Sequence, residues 1–380
     1  MRRTARSNIT AAGLACAAVA LVVGCDQVSG PAASRRPLSS GSSQSESGSG
    51  SPNGTALTSP GQSQPAEPAG QFTMAFAGDV HFTGRTATLL ARDPATAFGV
   101  TAAVLSQADL TMVNLETAIA VGGRPEAKSF TFAAPPAALT ALAAAGVDVA
   151  TMANNHGADY GAAGLAQTLA AIRQSGFPVI GIGADAAAAY APYYRTVRGV
   201  RVAIVAASQV HDETEAHFTA GDASPGIASA DSDRLLAAVR TAKAHADVVI
   251  SYLHWGTEYT SCPNAEQRAL ADRLAAAGVT AIIGTHAHVL QGAGWRPDGA
   301  YLAYGLGNYY WWKSFGNAQD DNGVLTLTFT RHRVVAARFQ PSELAADGTS
   351  PPATGAEARR IDAEFGRARD CAGLSASPPR

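Results

Sequence analysis

The chain has 380 residues, 47% of them hydrophobic, which is enough apolar side chain for one sizeable core. It carries 28 Lys and Arg against 30 Asp and Glu, and no run rich in Lys or Arg follows Arg36. That argues against nucleic acid as a partner, because such binding needs a basic footprint.

Residues 1–24 read as a secretory signal. Arg2, Arg3 and Arg6 form a positive start, and Ile9 to Val23 is an apolar stretch too short and one-sided for a membrane span. It ends Leu21-Val22-Val23-Gly24-Cys25, which resembles the lipobox of bacterial lipoproteins. The resemblance implies cleavage before Cys25, acylation there, and an extracytoplasmic protein held to the cell membrane by its lipid. Several acyl chains on one residue anchor far more firmly than one. The alternative is a secreted protein cut a few residues away. Loss of residues 1–24 removes three arginines and no acid, leaving 25 basic against 30 acidic residues. Residues 25–70 are mostly Ser, Gly, Pro, Gln and Ala, too poor in large apolar side chains to offset the entropy of ordering, and read as a disordered tether.

From Gln71 the composition changes, and residues 71–340 read as one domain with a rhythm of strand, loop and helix. Phe72–Ala77 is a predicted strand, followed by a helix around Ala97–Ser106 and a strand at Asp109–Val113. Pro136–Ala145 is helical and ended by Gly146, Val147–Met152 is a strand, Gly164–Gln174 is a helix ended by Gly176, and Val179–Ile182 is a strand. Tyr194–Val197 and Val202–Ala206 flank a hairpin turn. Leu235–His245 and Glu266–Ala277 are helical, each followed by a strand, Val248–Leu253 and Thr280–Gly284. Tyr301–Tyr304, Val324–Thr330 and Val334–Phe339 are further strands, the last two a hairpin. The tail, 341–380, holds a helical pattern at Glu357 to Arg367 that packs on the domain. Such alternation gives an α/β fold, and the trailing hairpins point to two mixed sheets stacked face to face.

Polar clusters stand where the apolar runs end, and ligands in such folds sit beyond the carboxyl ends of strands. Asp79 and His81 follow the first strand at i, i+2, so carboxylate and imidazole can grip one ion. Glu116 follows the second strand, and a carboxylate can bridge two metals. Asn154, Asn155 and His156 end the third. His254 ends a later strand, and His286 and His288 repeat the i, i+2 spacing after Ile282-Ile283-Gly284, a pattern also seen in zinc sites. Each cluster alone has a plain reading: a helix cap, a loop acid, an Asn-rich turn. Taken together, five of the nine histidines at strand ends point to a two-metal hydrolytic site. Asp, Glu, Asn and His suit Zn, Mn or Fe. Arg85, Lys128 and Lys313 are cations near the clusters that could meet an anionic substrate, or serve only solubility. Trp255, Trp311 and Trp312 could wall a cleft or pack the core. Cys16 leaves with the signal and Cys25 is lipidated. Cys262 and Cys371 remain in an oxidising compartment, where a disulfide is the economical expectation and two free thiols the alternative.

The order Gly78-Asp79-Val80-His81, Asn114-Leu115-Glu116-Thr117, Asn154-Asn155-His156, His254-Trp255-Gly256-Thr257-Glu258-Tyr259, Gly284-Thr285-His286-Ala287-His288 and Gly307-Asn308 resembles the calcineurin-like metallophosphatase superfamily. More closely it resembles the CapA family of capsule synthesis, linked to poly-γ-glutamate. The resemblance implies a metallophosphatase-like αββα sandwich of two mixed sheets flanked by helices. It implies two divalent ions: a first held by Asp79, His81 and His288, a second by Asn155, His254 and His286, with Glu116 bridging where the superfamily has Asp, and His156 as general acid. The implied function is a metal-dependent hydrolase or transferase-like protein of capsule or envelope polymer metabolism, acting on poly-γ-glutamate as the implied polymer or on a phosphoester, with a cell-surface phosphodiesterase of nucleotides or lipids as a further option. The alternative is a non-enzymatic scaffold that binds the anionic polymer or a membrane polymer synthase.

Overall fold

The computed structural model describes residues 70–380. The expected signal segment, Cys25 and the tether up to residue 69 lie outside them. No helix among the described residues is long and apolar enough to cross a membrane.

Two mixed sheets carry the fold. The first orders its strands Val334–Glu343, Asp321–Phe329, Phe72–Val80, Leu110–Leu115, Val149–Thr151 and Val179–Ile180, with Asn308–Tyr310 added in parallel to the end of Phe72–Val80. The second orders Leu290–Trp295, Tyr301–Leu306, Ala281–Thr285, Val248–His254, Val200–Ser208 and Tyr193–Val197. In each sheet the central pairs are parallel and at least one edge pair is antiparallel.

The period of two along each strand sorts its side chains between layers. Phe72, Met74 and Phe76 point into a core shared with Val202, Ile204, Ile250, Tyr252 and Ile283 of the second sheet. Ala75 and Ala77 face the opposite way, against Leu105, Leu139, Leu142 and Leu165 of the first helical layer. Val205, Val249 and Ile282 face Leu235, Val239, Leu270 and Leu274 of the second. The result is the αββα order expected. The helix Gly355–Ala372 closes one end, with Phe365 stacked 4.2 Å from Phe339. It extends beyond the Glu357–Arg367 pattern at both ends. A disulfide joins its Cys371 to Cys262, Cα to Cα 5.8 Å.

Two features deliver the polar clusters to one place. The Phe72–Val80 strand runs three residues past its predicted end, with a bulge between Phe76 and Asp79 in its pairing with Leu110–Leu115. Across the interface, the Tyr252 hydroxyl donates to the Ala77 carbonyl at 2.6 Å, tying the second sheet to the first just before Asp79.

Candidate metal centre

The parallel strands of both sheets end on the same side, and the candidate ligands converge there. Asp79 is fully buried. Its Oδ1 accepts from Asn114 Nδ2 at 2.8 Å and its Oδ2 from the His286 amide at 3.3 Å. Gly78 makes this approach possible, since a Cβ there would fall 1.8 Å from the Gly307 carbonyl oxygen. That carbonyl accepts the Asp79 amide at 2.9 Å.

Glu116 stands in the middle. Its amide donates to the Val80 carbonyl at 2.8 Å, which fixes its backbone against the first strand. The carboxylate is fully buried and Oε1 has no hydrogen-bond partner. Around Oε1 lie His254 Nε2 at 3.6 Å, His156 Nε2 at 3.8 Å and His288 Nε2 at 3.9 Å. His254 Nε2 is also 2.8 Å from Asn155 Oδ1 and 3.1 Å from His286 Nδ1. Atoms bonded to one tetrahedral zinc at ~2.0–2.1 Å sit about 3.3 Å apart. The spacing of Glu116, Asn155, His254 and His286 therefore fits a cation, and the orphaned Oε1 is the atom such a cation would satisfy. Two donor groups form at this centre, Glu116 with His286 and His288, and Asp79 with Glu116 and His254; Glu116 belongs to both. His288 Nδ1 is 3.5 Å from Asp79 Oδ2 and bonds Asn308 Oδ1 at 2.8 Å, which leaves Nε2 to face Glu116.

The electrostatics agree. Burial, reinforced by the Asp79 carboxylate, holds Glu116 well above the usual carboxylate range. Burial, with neighbouring imidazoles, pushes His81, His254 and His286 well down, so these rings are neutral and each keeps a lone pair. Burial also opposes charge on His288, but the Asp79 carboxylate outweighs it and the net shift is upward. Buried acids beside neutral imidazoles form a set that a divalent cation would relieve. His286 and His288 have φ of 88° and 54°, in the left-handed region. Such backbone costs of order 1–3 kcal/mol per residue and clusters at functional sites.

His156 is held as a base or acid. Its Nδ1 is 2.6 Å from Asp159 Oδ2, and burial pushes its pKa down against the pull of that carboxylate. Asp159 did not emerge from the sequence; its signal is the spacing of three residues after His156 on a tight turn.

The remaining nominated residues fall in several places. His81 is buried beside the centre, yet its Nε2 accepts the Trp312 amide at 3.0 Å and it joins neither donor group. Lys128 does not reach toward a substrate. Its ammonium is buried between Asp159 and Asp212, 2.9 Å from each, and also donates to the Asn155 carbonyl. It was expected as an anion contact because a loop lysine near a cluster looks free, but two carboxylates have already taken its charge. Arg85 is exposed at the start of the Arg85–Arg92 helix and donates to the Ala346 carbonyl. Lys313 lies over the rings of Trp312 and Phe315, at 4.4 and 4.7 Å from their centroids. Trp311 covers the site, 4.0 Å from His81 and 5.0 Å from His288, whereas Trp255 is core, its Nε1 bonded to the Tyr304 carbonyl.

Comparison with known proteins places this constellation. The profile of the bacterial capsule synthesis protein family PGA_cap matches residues 73–311, which contain every candidate ligand. The chain is 33% identical over 177 residues to the PGA biosynthesis protein CapA of Bacillus subtilis, covering 45% of this chain and 44% of that one. It is 32% identical over 213 residues to the capsule biosynthesis protein CapA of Bacillus anthracis, covering 53% and 51%. The chain thus spans about half the length of the relatives it matches. A solved phosphatase from Mycoplasma pneumoniae is 17% identical, covering 71% of this chain and 93% of that one, with a TM-score of 0.47. The chain belongs to the bacterial capsule synthesis protein family PGA_cap.

Proposed function

We propose that this chain is a lipid-anchored, extracytoplasmic protein of capsule or poly-γ-glutamate metabolism whose buried centre binds two divalent ions and hydrolyses a bond in an anionic substrate. One observation carries the reading: the unpartnered Glu116 oxygen lies within 3.6–3.9 Å of imidazole nitrogens from three separate strand ends. Metal ligands elsewhere in proteins behave this way, as buried acceptors awaiting a cation.

The residues divide the work. Asp79, Glu116 and His254 would hold one ion, with Asn155 beside His254; Glu116, His286 and His288 would hold the other. Bound ions of this kind lower the pKa of a water and polarise the bond under attack. Asp159 fixes the His156 ring so that Nε2 faces the Glu116 side of the site, where it can pass a proton to a leaving oxygen. Lys128 balances the Asp159 charge. Trp311 shields the centre from water. Lys313 is the candidate contact for an anionic group on the substrate. The names of the Bacillus relatives, a PGA biosynthesis protein and a capsule biosynthesis protein, support poly-γ-glutamate or a precursor as that substrate; a membrane polymer synthase is the proposed partner.

Metal analysis of the purified protein, wild type beside His286→Ala, tests the centre; about two ions per chain are expected for the wild type. A chromogenic phosphodiester assayed with Mn²⁺ beside His156→Ala tests catalysis, and equal rates would dismiss it. If a folded Asp79→Ala variant supports normal polymer output in cells, the protein acts as a binding scaffold instead.

A further inference from the structure

His81 completes the expected Asp-x-His pair, but its chemistry in this fold is spent elsewhere. A neutral imidazole offers one lone pair and one N–H. Here Nε2 accepts the Trp312 amide at 3.0 Å, which uses the lone pair and puts the proton on Nδ1. Nδ1 is buried and meets no acceptor. To bind a cation the ring must break the Trp312 bond or lose its second proton. The ring is also fixed in place. It stacks on Trp311 with centroids 4.0 Å apart and meets the edge of Phe132 at 4.3 Å. Its own amide donates to the Tyr310 carbonyl at 3.0 Å, so ring and backbone both grip the Tyr310–Trp312 segment. Both donor groups of the centre close without it.

We infer that His81 is not a metal ligand but a positioning residue, one that clamps the Trp311–Trp312 segment over the centre. The inference rests on the metal-centre reading and changes its make-up. Without His81, the donor group at Asp79 offers two carboxylates and a single imidazole, His254, and the other would offer Glu116 with two imidazoles, His286 and His288. An oxygen-rich set favours a harder ion such as Mn²⁺ over Zn²⁺, so the two positions differ in preference and the first yields its ion to a chelator sooner.

The test uses His81→Leu, which removes both nitrogens, and His81→Gln, whose carbonyl can occupy the place of Nε2, with Asp79→Asn as the ligand control. Metal content and the absorption spectrum of the cobalt-loaded protein report the ligand set. Hydrogen exchange of the Trp312 amide reports the clamp. Expected is wild-type metal content and an unchanged cobalt spectrum in both His81 variants, against loss in Asp79→Asn. Exchange at Trp312 should be roughly tenfold faster in His81→Leu and near wild type in His81→Gln. Loss of one ion, or a changed cobalt spectrum, in both His81 variants overturns the inference. A wild-type protein that takes up no ion sinks the metal-centre reading instead, and Trp312 exchange then still decides whether His81 is the clamp.

Discussion

Glu116→Gln separates the stability of the fold from the affinity of the centre. The side chain is fully buried, Oε1 has no partner, Oε2 accepts from Asn114 Nδ2 at 3.5 Å, and the Asp79 carboxylate lies beside it. Leaving a buried acceptor unsatisfied costs about 1–3 kcal/mol, more when it is charged. The upward pKa shift expresses the same cost. The unfolded chain releases the Glu116 proton near its ordinary value of about 4.3, whereas the folded, metal-free protein holds it to higher pH. Stability owed to this group therefore falls as pH rises from about 4.3 to the folded value, and stays lost above it. Glutamine is neutral throughout. In the presence of a chelator the variant should be more stable than wild type by ~1–3 kcal/mol above the folded pKa, a rise in Tm of about 2–6 °C, with no gain near pH 4. The same change removes the only carboxylate common to both donor groups, so divalent affinity should fall at least about a hundredfold. Thermal melts across pH in chelator, and competition with a chromogenic chelator, measure both. A variant less stable than wild type at every pH, or one with wild-type affinity, refutes the reasoning.

Lys128→Met should destabilise the protein by about 3–5 kcal/mol in denaturant melts, because it strands Asp159 and Asp212 beside the site. Cys262→Ser combined with Cys371→Ser opens a link between residues 109 apart. Chain entropy for a loop of ~100 residues sets the loss at up to about 4.7 kcal/mol, and added reductant should lower the wild-type melting temperature but not that of the double variant. Gly78→Ala drives a methyl group into the Gly307 carbonyl oxygen, with the Leu306 carbonyl oxygen 3.0 Å away on the same backbone segment. We expect a loss above about 3 kcal/mol, read from circular-dichroism melts, and no gain from raising the metal concentration.

The layers were legible because long apolar runs alternate with capped helices. The hairpin of Tyr193–Val197 and Val200–Ser208 was legible too, with a tighter turn at Arg198 and Gly199 than expected. The strand Leu290–Trp295 was not, because Gly292 and Gly294 interrupt its apolar pattern. The fold needs those glycines: a Cβ on Gly292 would lie 2.2 Å from the Ala368 carbonyl oxygen, and one on Gly294 would lie 2.3 Å from that of Ser375. That demand comes from the C-terminal helix and its tail, far along the chain. The gathering of Asp79, Glu116, Asn155, His254, His286 and His288 could be anticipated from strand-end placement. What each nitrogen does could not. Spacing cannot show that the Trp312 amide occupies His81, or that Asp159 and Asp212 enclose Lys128.

The left-handed backbone at His286 and His288 has a kinetic side. The Tyr259 amide, bonded to the Ala287 carbonyl at 2.7 Å, and Asp79, accepting the His286 amide, brace this turn from both flanks. The two rings are thus already aimed inward before any cation arrives, and the conformational cost is met during folding. Capture of an ion then asks little further rearrangement of the main chain, so uptake should be limited by stripping water from the incoming ion rather than by motion of the protein.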